Sequence, residues 1–209
     1  MKKNVIVGQS GGPTAVINAS LYGVVSEALA REDDFEKVYG MINGVEGFLD
    51  GKIMDMKLLE KSGELELFRT TPGSYLGSCR YKLPEDLGDE VYPKLFEKFE
   101  QYGIGYFFYI GGNDSMDTVS KLSRYAEKTG SSIRFMGIPK TIDNDLALTD
   151  HTPGYGSAAK YIGTSTKEII RDSNALEYGK GLVTVIEIMG RNAGWLTGAS
   201  ALSKGEDCE

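Results

Sequence analysis

Little in this sequence suits zinc or a disulfide framework: two cysteines, Cys79 and Cys208, and one histidine, His151, stand among 209 residues. Neither cysteine has CxxC or zinc spacing, so both read as unpaired thiols without a chemical role, in a reduced cytosol. Long hydrophobic runs are missing as well. No stretch of about eighteen apolar residues exists, which excludes a membrane-spanning helix. The N-terminal run Val5–Val7 stops at glycine, too soon for a signal peptide. Positive charge is in deficit, with 23 Lys and Arg against 30 Asp and Glu and a net charge of −7. That balance argues against generic binding to nucleic acid or to an anionic membrane. A local convergence of a few cations can still hold an anion. Repeats, low-complexity tracts and Ser/Pro linkers are absent too. The expectation is a soluble, cytoplasmic protein.

What is present is alternation. Short β-rich apolar runs (Val5–Val7, "EKVYGM", "GYFFYIGG", "RFMGIP", "LVTVIEIMG") alternate with segments of helical periodicity at 14–31, 114–129 and 157–178. This pattern predicts an α/β fold, an open and mostly parallel sheet flanked by helices. The stretch 43–87 reads as loops with one or two short helices. The length suits one large domain or two small ones.

Four of the predicted strands run straight into polar, glycine-containing segments: Gly8–Gly12, Gly111–Ser115, Pro139–Asp143 and Met189–Asn192. In a parallel sheet such segments share the carboxyl edge, where open α/β sheets bind ligands. Glycine lets backbone N–H groups approach a ligand, and a following helix N-terminus favours an anion.

The first loop, "GQSGGPTAVIN", contains Gly8-x-Ser10-x-Gly12, the spelling of a hydrolase nucleophile elbow. A serine hydrolase needs a histidine, and the sole candidate lies in a Pro/Gly-rich loop. The better reading makes Gly11 and Gly12 a backbone cradle for phosphate, with Pro13 just inside the helix start. The second loop, "GGNDS", sets Asn113, Asp114 and Ser115 after Gly112 at a helix N-terminus. One of the three is expected to cap the helix; all three exceed what a cap needs. In the third, "PKTIDND", an extended backbone would point Asp143 and Asp145 to one side. That pair suits a general base beside a carboxylate for Mg²⁺, an ion that takes one or two carboxylates and fills its shell with water and phosphates. Lys140 is placed to neutralise a transferring phosphoryl group. Arg191 in the fourth loop offers a fork for phosphate beside Gly190, and Arg80 in "GSYLGSCRY" is a further cation. Cations, paired carboxylates and glycine cradles on one edge describe phosphoryl transfer.

Taken together and in order, "SGGPTAVINA", "GSYLGSCR", "YIGGNDSMDT", "GIPKTIDND", "TDHTPGYGSA" and "VIEIMGRNAGWL" resemble the phosphofructokinase family over essentially the whole chain. The resemblance implies that Asp143 is the base for the 1-hydroxyl of fructose 6-phosphate and that Asp145 lies near magnesium. It implies donor contacts from Gly11 and Arg80, among loops that include Gly12, Gly112 and Ser115. It implies sugar-phosphate contacts from Thr141 and from Met189, Gly190 and Arg191.

In that family, ATP users read GGDGS and carry glycine before TIDND. Pyrophosphate users read GGDDS and carry lysine there. Asp114 and Lys140 therefore point to pyrophosphate, because a carboxylate at 114 would repel ATP's α-phosphate. Two positions depart from the pattern. Asn113 replaces the usual first aspartate of its loop, leaving a neutral oxygen ligand. Leu182, with Lys180 close by, stands near where the family often has an arginine reaching a neighbouring subunit.

The resemblance thus implies a pyrophosphate-dependent phosphotransferase using Mg²⁺, with 1–141 as donor-binding domain and 142–209 as the start of the sugar-phosphate domain. It implies a homo-oligomer in the complete protein. An ATP-dependent 6-phosphofructokinase and a non-catalytic sugar-phosphate or nucleotide sensor are the alternatives. Family members continue past the MGR loop, so the chain is expected to be a truncated piece, inactive alone, with apolar surface uncovered around Trp195, Leu196 and Leu202.

Overall fold

A computed structural model describes residues 2–176, 179 and 181–205. Cys208 and Lys180, named above, and the last two residues of the predicted helix 157–178 lie outside the described residues. The chain divides into two compact units, residues up to Lys140 and residues from Thr141 onward.

The first unit is built on a five-stranded sheet. Its elements are β1 (Lys3–Gln9), α1 (Val16–Ala30), β2 (Phe35–Met41), α2 (Gly44–Leu49), β3 (Ile53–Asp55) and α3 (Lys57–Ser62). A 3-10 turn (Glu64–Arg69), α4 (Val91–Gln101), β4 (Ile104–Gly111), α5 (Asn113–Thr129) and β5 (Arg134–Pro139) complete it. The strand order is β3-β2-β1-β4-β5. β1 pairs in parallel with β2 and β4, and β4 with β5. Only the short β3 edge is antiparallel.

β1 is central, and every residue from Asn4 to Gln9 is buried. That explains its unbroken apolar run, since a strand covered on both faces needs no polar alternation. Successive side chains still point to opposite sides. Val5 and Val7 join Ile17, Leu21 and Val25 of α1 and Leu59 of α3 on one face. Ile6 joins Phe48 of α2, Leu95 and Phe99 of α4 and Leu122 of α5 on the other. Helices thus cover both faces, and each fully buried Val, Leu, Ile or Phe contributes about 1.5–3 kcal/mol.

Within 43–87 the structure has the two short helices and adds β3, whose three residues are too few to show a period. Pro13 does not sit inside α1. The helix starts at Val16 after Ala15, so the glycine loop is two residues longer than expected.

The second unit holds α6 (Tyr155–Leu176), α7 (Trp195–Gly198) and a 3-10 turn, Ala199–Ser203. α6 packs against that turn so closely that a Cβ on Gly163 would meet the Leu202 Cβ at 3.0 Å. The predicted strand "LVTVIEIMG" is not one: residues 182–190 form no ladder. A strand exists only through its partners, and among the described residues this unit has no other strand. Val183 and Val185 are accordingly 87% and 88% exposed. Trp195 and Leu202 are exposed as expected, but Leu196 is buried. Among the described residues, no helix is long and apolar enough to cross a membrane.

Candidate functional site

In the first unit, β1 and its neighbour β4 send their following helices to opposite faces: α1 packs with one core and α5 with the other. The loops that follow β1 and β4 therefore lead to opposite faces from the shared carboxyl edge, the place where such sheets bind ligands. Each carries a diglycine, Gly11-Gly12 and Gly111-Gly112.

Ser10 continues the ladder by donating its N–H to Ile110 (2.9 Å), and Gly11 donates to the Cys79 carbonyl at 3.2 Å. Gly11 has φ +78°, a backbone that side chains rarely adopt. A Cβ added there would lie 3.9 Å from the Gly112 nitrogen, so the two loops run close to each other. Ser10 is buried and donates its hydroxyl to the Cys79 carbonyl at 3.4 Å. That is a structural serine, which removes the nucleophile-elbow reading.

On the β4 side, a Cβ on Gly111 would fall 2.0 Å from Ser115 Oγ and 3.0 Å from the Ser10 carbonyl, so only glycine fits. Gly112 itself is the N-cap of α5, and no side chain caps the helix. The expected cap from Asn113, Asp114 or Ser115 is therefore corrected. The physical reason is position: these three residues already lie inside the first turn. There Ser115 is buried, while Asn113 and Asp114 are exposed. The Gly112 carbonyl accepts the N–H groups of Ser115 and Met116, both at 3.0 Å. The Asp114 carboxylate pairs with the Lys82 ammonium at 3.2 Å. A helix end free of a side-chain cap, with its dipole, suits an anion.

Lys140, just past β5, ties the loops together. Its backbone N–H donates to the Gly111 carbonyl at 2.9 Å, and its ammonium donates to the carbonyl of Gly12. Although Lys140 is only 7% exposed, Gly12 is exposed. A buried cation therefore backs an open glycine loop.

The segment 74–80 seals the outer side of the first loop. Ser78 donates to the Gly11 carbonyl at 2.5 Å. Cys79 is buried with its thiol 3.5 Å from the Tyr109 hydroxyl, and burial pushes the Tyr109 pKa up. Arg80, next in the chain, is exposed. Sequence reasoning missed what anchors this segment. Gln9, fully buried, donates to the Ile17 carbonyl (3.1 Å) and Asn18 Oδ1 (3.0 Å). It accepts from Ser74 Oγ (3.1 Å) and the Leu76 N–H (2.9 Å). Asn18 in turn donates to the Thr71 carbonyl and accepts from the Tyr75 N–H. The only signal was two amides at inward positions of apolar elements.

In the second unit, the backbone is not extended through "TIDND". It bends at Ile142 and Asp143, where the Asp143 N–H donates to Thr141 Oγ1 at 3.0 Å. It then enters the left-handed region at Asn144, φ +58°. Asp143 and Asp145 are therefore not set on one side by the alternation of an extended strand, as their spacing suggests. Both aspartates are half-buried, whereas Asn144 between them is buried. Its side chain donates to the Asp150 carbonyl (3.1 Å) and accepts from the Thr152 N–H (2.8 Å). Met189 and Arg191 are exposed beside a turn in which Ala193 donates to the Gly190 carbonyl at 3.2 Å. Because 182–190 is not a strand, this fourth loop does not leave a sheet edge. Among the described residues, no three His, Cys, Asp or Glu side chains gather as a metal cluster.

A mostly parallel sheet flanked by helices, with two glycine loops and a buried lysine at its carboxyl edge, defines an open α/β protein. The chain belongs to the phosphofructokinase family, whose profile, "Phosphofructokinase", matches residues 4–208. It is 44% identical over 201 residues to the pyrophosphate–fructose 6-phosphate 1-phosphotransferase of Halomonas elongata, covering 96% of this chain and 48% of that protein. With the Rhodospirillum rubrum enzyme of the same name it shares 45% over 203 residues, covering 97% and 48%. The crystal structure of the pyrophosphate-dependent phosphofructokinase from Nitrosospira multiformis superposes with TM-score 0.86 at 41% identity, covering 99% of this chain and 51% of that one. The chain thus spans about half the length of the curated relatives it matches.

Proposed function

We propose that this chain is part of a pyrophosphate-dependent phosphofructokinase, which moves a phosphoryl group from pyrophosphate to the 1-hydroxyl of fructose 6-phosphate. In this reading the first unit binds the donor and the second begins the sugar-phosphate site. Gly12 and Gly112 present backbone N–H groups to pyrophosphate, and Gly11, whose N–H is held by the Cys79 carbonyl, turns the loop at φ +78°. Ser115 packs beneath the loop, and Lys140 and Arg80 supply positive charge. Thr141 and the segment Met189-Gly190-Arg191 orient the sugar phosphate. Asp143 accepts the hydroxyl proton as the oxygen attacks phosphorus and inorganic phosphate departs.

Mg²⁺ takes one or two carboxylates and is held otherwise by substrate phosphates and water. Asp145 is the proposed carboxylate and Asn113 a neutral oxygen donor; the ion would neutralise pyrophosphate charge. A homo-oligomeric, cytoplasmic enzyme completes the proposal.

The observation that carries this reading is Lys140, a buried ammonium set against the Gly12 carbonyl, together with Asp114 in the first turn of α5. ATP is the rival donor. The test is formation of fructose 1,6-bisphosphate by the full-length protein with Mg²⁺ and either pyrophosphate or ATP. Turnover with pyrophosphate and little with ATP is expected. Preference for ATP would overturn the donor assignment. Binding of either substrate without transfer would favour a sensor.

A further inference from the structure

A carboxylate beside a pyrophosphate site poses an electrostatic problem. Asp114 would repel a nucleotide's α-phosphate, but its charge would reach pyrophosphate as well, because attraction and repulsion fall off slowly over a few ångströms. Lys82 resolves it. Its ammonium lies 3.2 Å from Asp114 Oδ1.

Lys82 is placed there by a strap, residues 78–85, fixed at both ends. Upstream, Ser78 Oγ bonds the Gly11 carbonyl (2.5 Å) and the Cys79 carbonyl accepts the Gly11 N–H (3.2 Å). Downstream, Lys121 of α5, whose side chain is 4% exposed, donates to the Leu83 carbonyl at 3.1 Å. The same ammonium meets Glu85 and Asp117, both at 2.6 Å. Asp117 lies one turn beyond Asp114 on the same helix. The strap therefore runs along α5 from its first turn, and Lys82 falls between the two anchors, over Asp114.

We propose that Lys82 is a positioning residue for donor selection. It holds the Asp114 carboxylate in place as an obstacle to nucleotides and cancels its net charge toward pyrophosphate. This rests on the pyrophosphate reading above. An exposed ion pair contributes little to fold stability, so the pair's effect belongs in the donor KM rather than in the melting temperature.

The experiment compares the full-length wild type with Lys82→Met, Lys82→Arg and the double variant Lys82→Met/Asp114→Asn. In Lys82→Met, KM for pyrophosphate is expected to rise roughly twofold to fivefold. Its kcat, its KM for fructose 6-phosphate and its melting temperature should stay at wild-type values. Lys82→Arg and the double variant should both recover the pyrophosphate KM, the second because no uncompensated charge remains. A wild type that uses pyrophosphate while Lys82→Met keeps its KM overturns the inference alone. A wild type that uses only ATP overturns the donor reading, and the inference with it.

Discussion

Asn144 stands between the two aspartates proposed for chemistry, with a left-handed backbone (φ +58°) and a side chain bonded twice to the loop at 150–152. Asparagine tolerates that backbone better than most residues, and its amide matches one donor to one acceptor. Asn144→Gly keeps the backbone and loses both bonds, at a cost of about 1–3 kcal/mol. Asn144→Ala adds left-handed strain of about 1–2 kcal/mol. Urea denaturation is expected to rank wild type above Gly above Ala, with kcat falling in the same order. Asp143→Asn tests the chemistry itself: kcat should drop by about 10²–10⁴-fold with little change in substrate KM. Turnover near wild type in that variant would remove Asp143 as the base. The charged residues of this loop were legible because a cation and two carboxylates within six positions have few structural uses. The role of Asn144 was not, since its partners at 150–152 are set by the fold rather than by any local period.

Between α5 and the strap at 78–85, Lys121 is a buried joining cation, its side chain 4% exposed. Lys121 has its pKa raised, first by its hydrogen bond to Asp117 and next by that to Glu85. A lysine whose folded pKa lies above its unfolded one stabilises fully below the ordinary lysine value, about 10.4. That stability is lost as pH rises through the folded value. Tyr109, raised by burial, acts in the same sense. Stability is therefore expected to decline above about pH 10, and less steeply in Lys121→Met, which lacks that titration. Urea midpoints measured across alkaline pH check this, and parallel curves for the two proteins would contradict it. Elements were readable where their own periodicity carried them. α5 begins one residue from its expected start. α4 was overlooked although Val91, Tyr92, Leu95, Phe96 and Phe99 mark one helical face, with Pro93 tolerated in the first turn. The segment 182–190 failed for the opposite reason: its composition favours a strand, but pairing depends on a neighbour.

Across the whole molecule, the alternation of strands and helices was enough to indicate a parallel α/β sheet, and with it a shared loop edge. Strand order was not readable, because nothing local says that β1 lies between β2 and β4. Yet that order has a consequence in time. β1 is made well before its second neighbour, β4, which begins at Ile104. At roughly 5–20 residues per second, nearly a hundred residues take about 5–20 s to follow it out of the ribosome. For that interval Val5, Ile6 and Val7 have one strand edge open, a hazard for wrongly paired chains. The bond from Lys140 to Gly12 spans 128 residues and closes later still. Stalled nascent chains ending before Ile104 are thus expected to be cut readily by protease within residues 3–30, and chains stalled well past Lys140 to resist. The glycine loop after β1, although made long before β4 and β5, is completed only when the last strand of its sheet arrives.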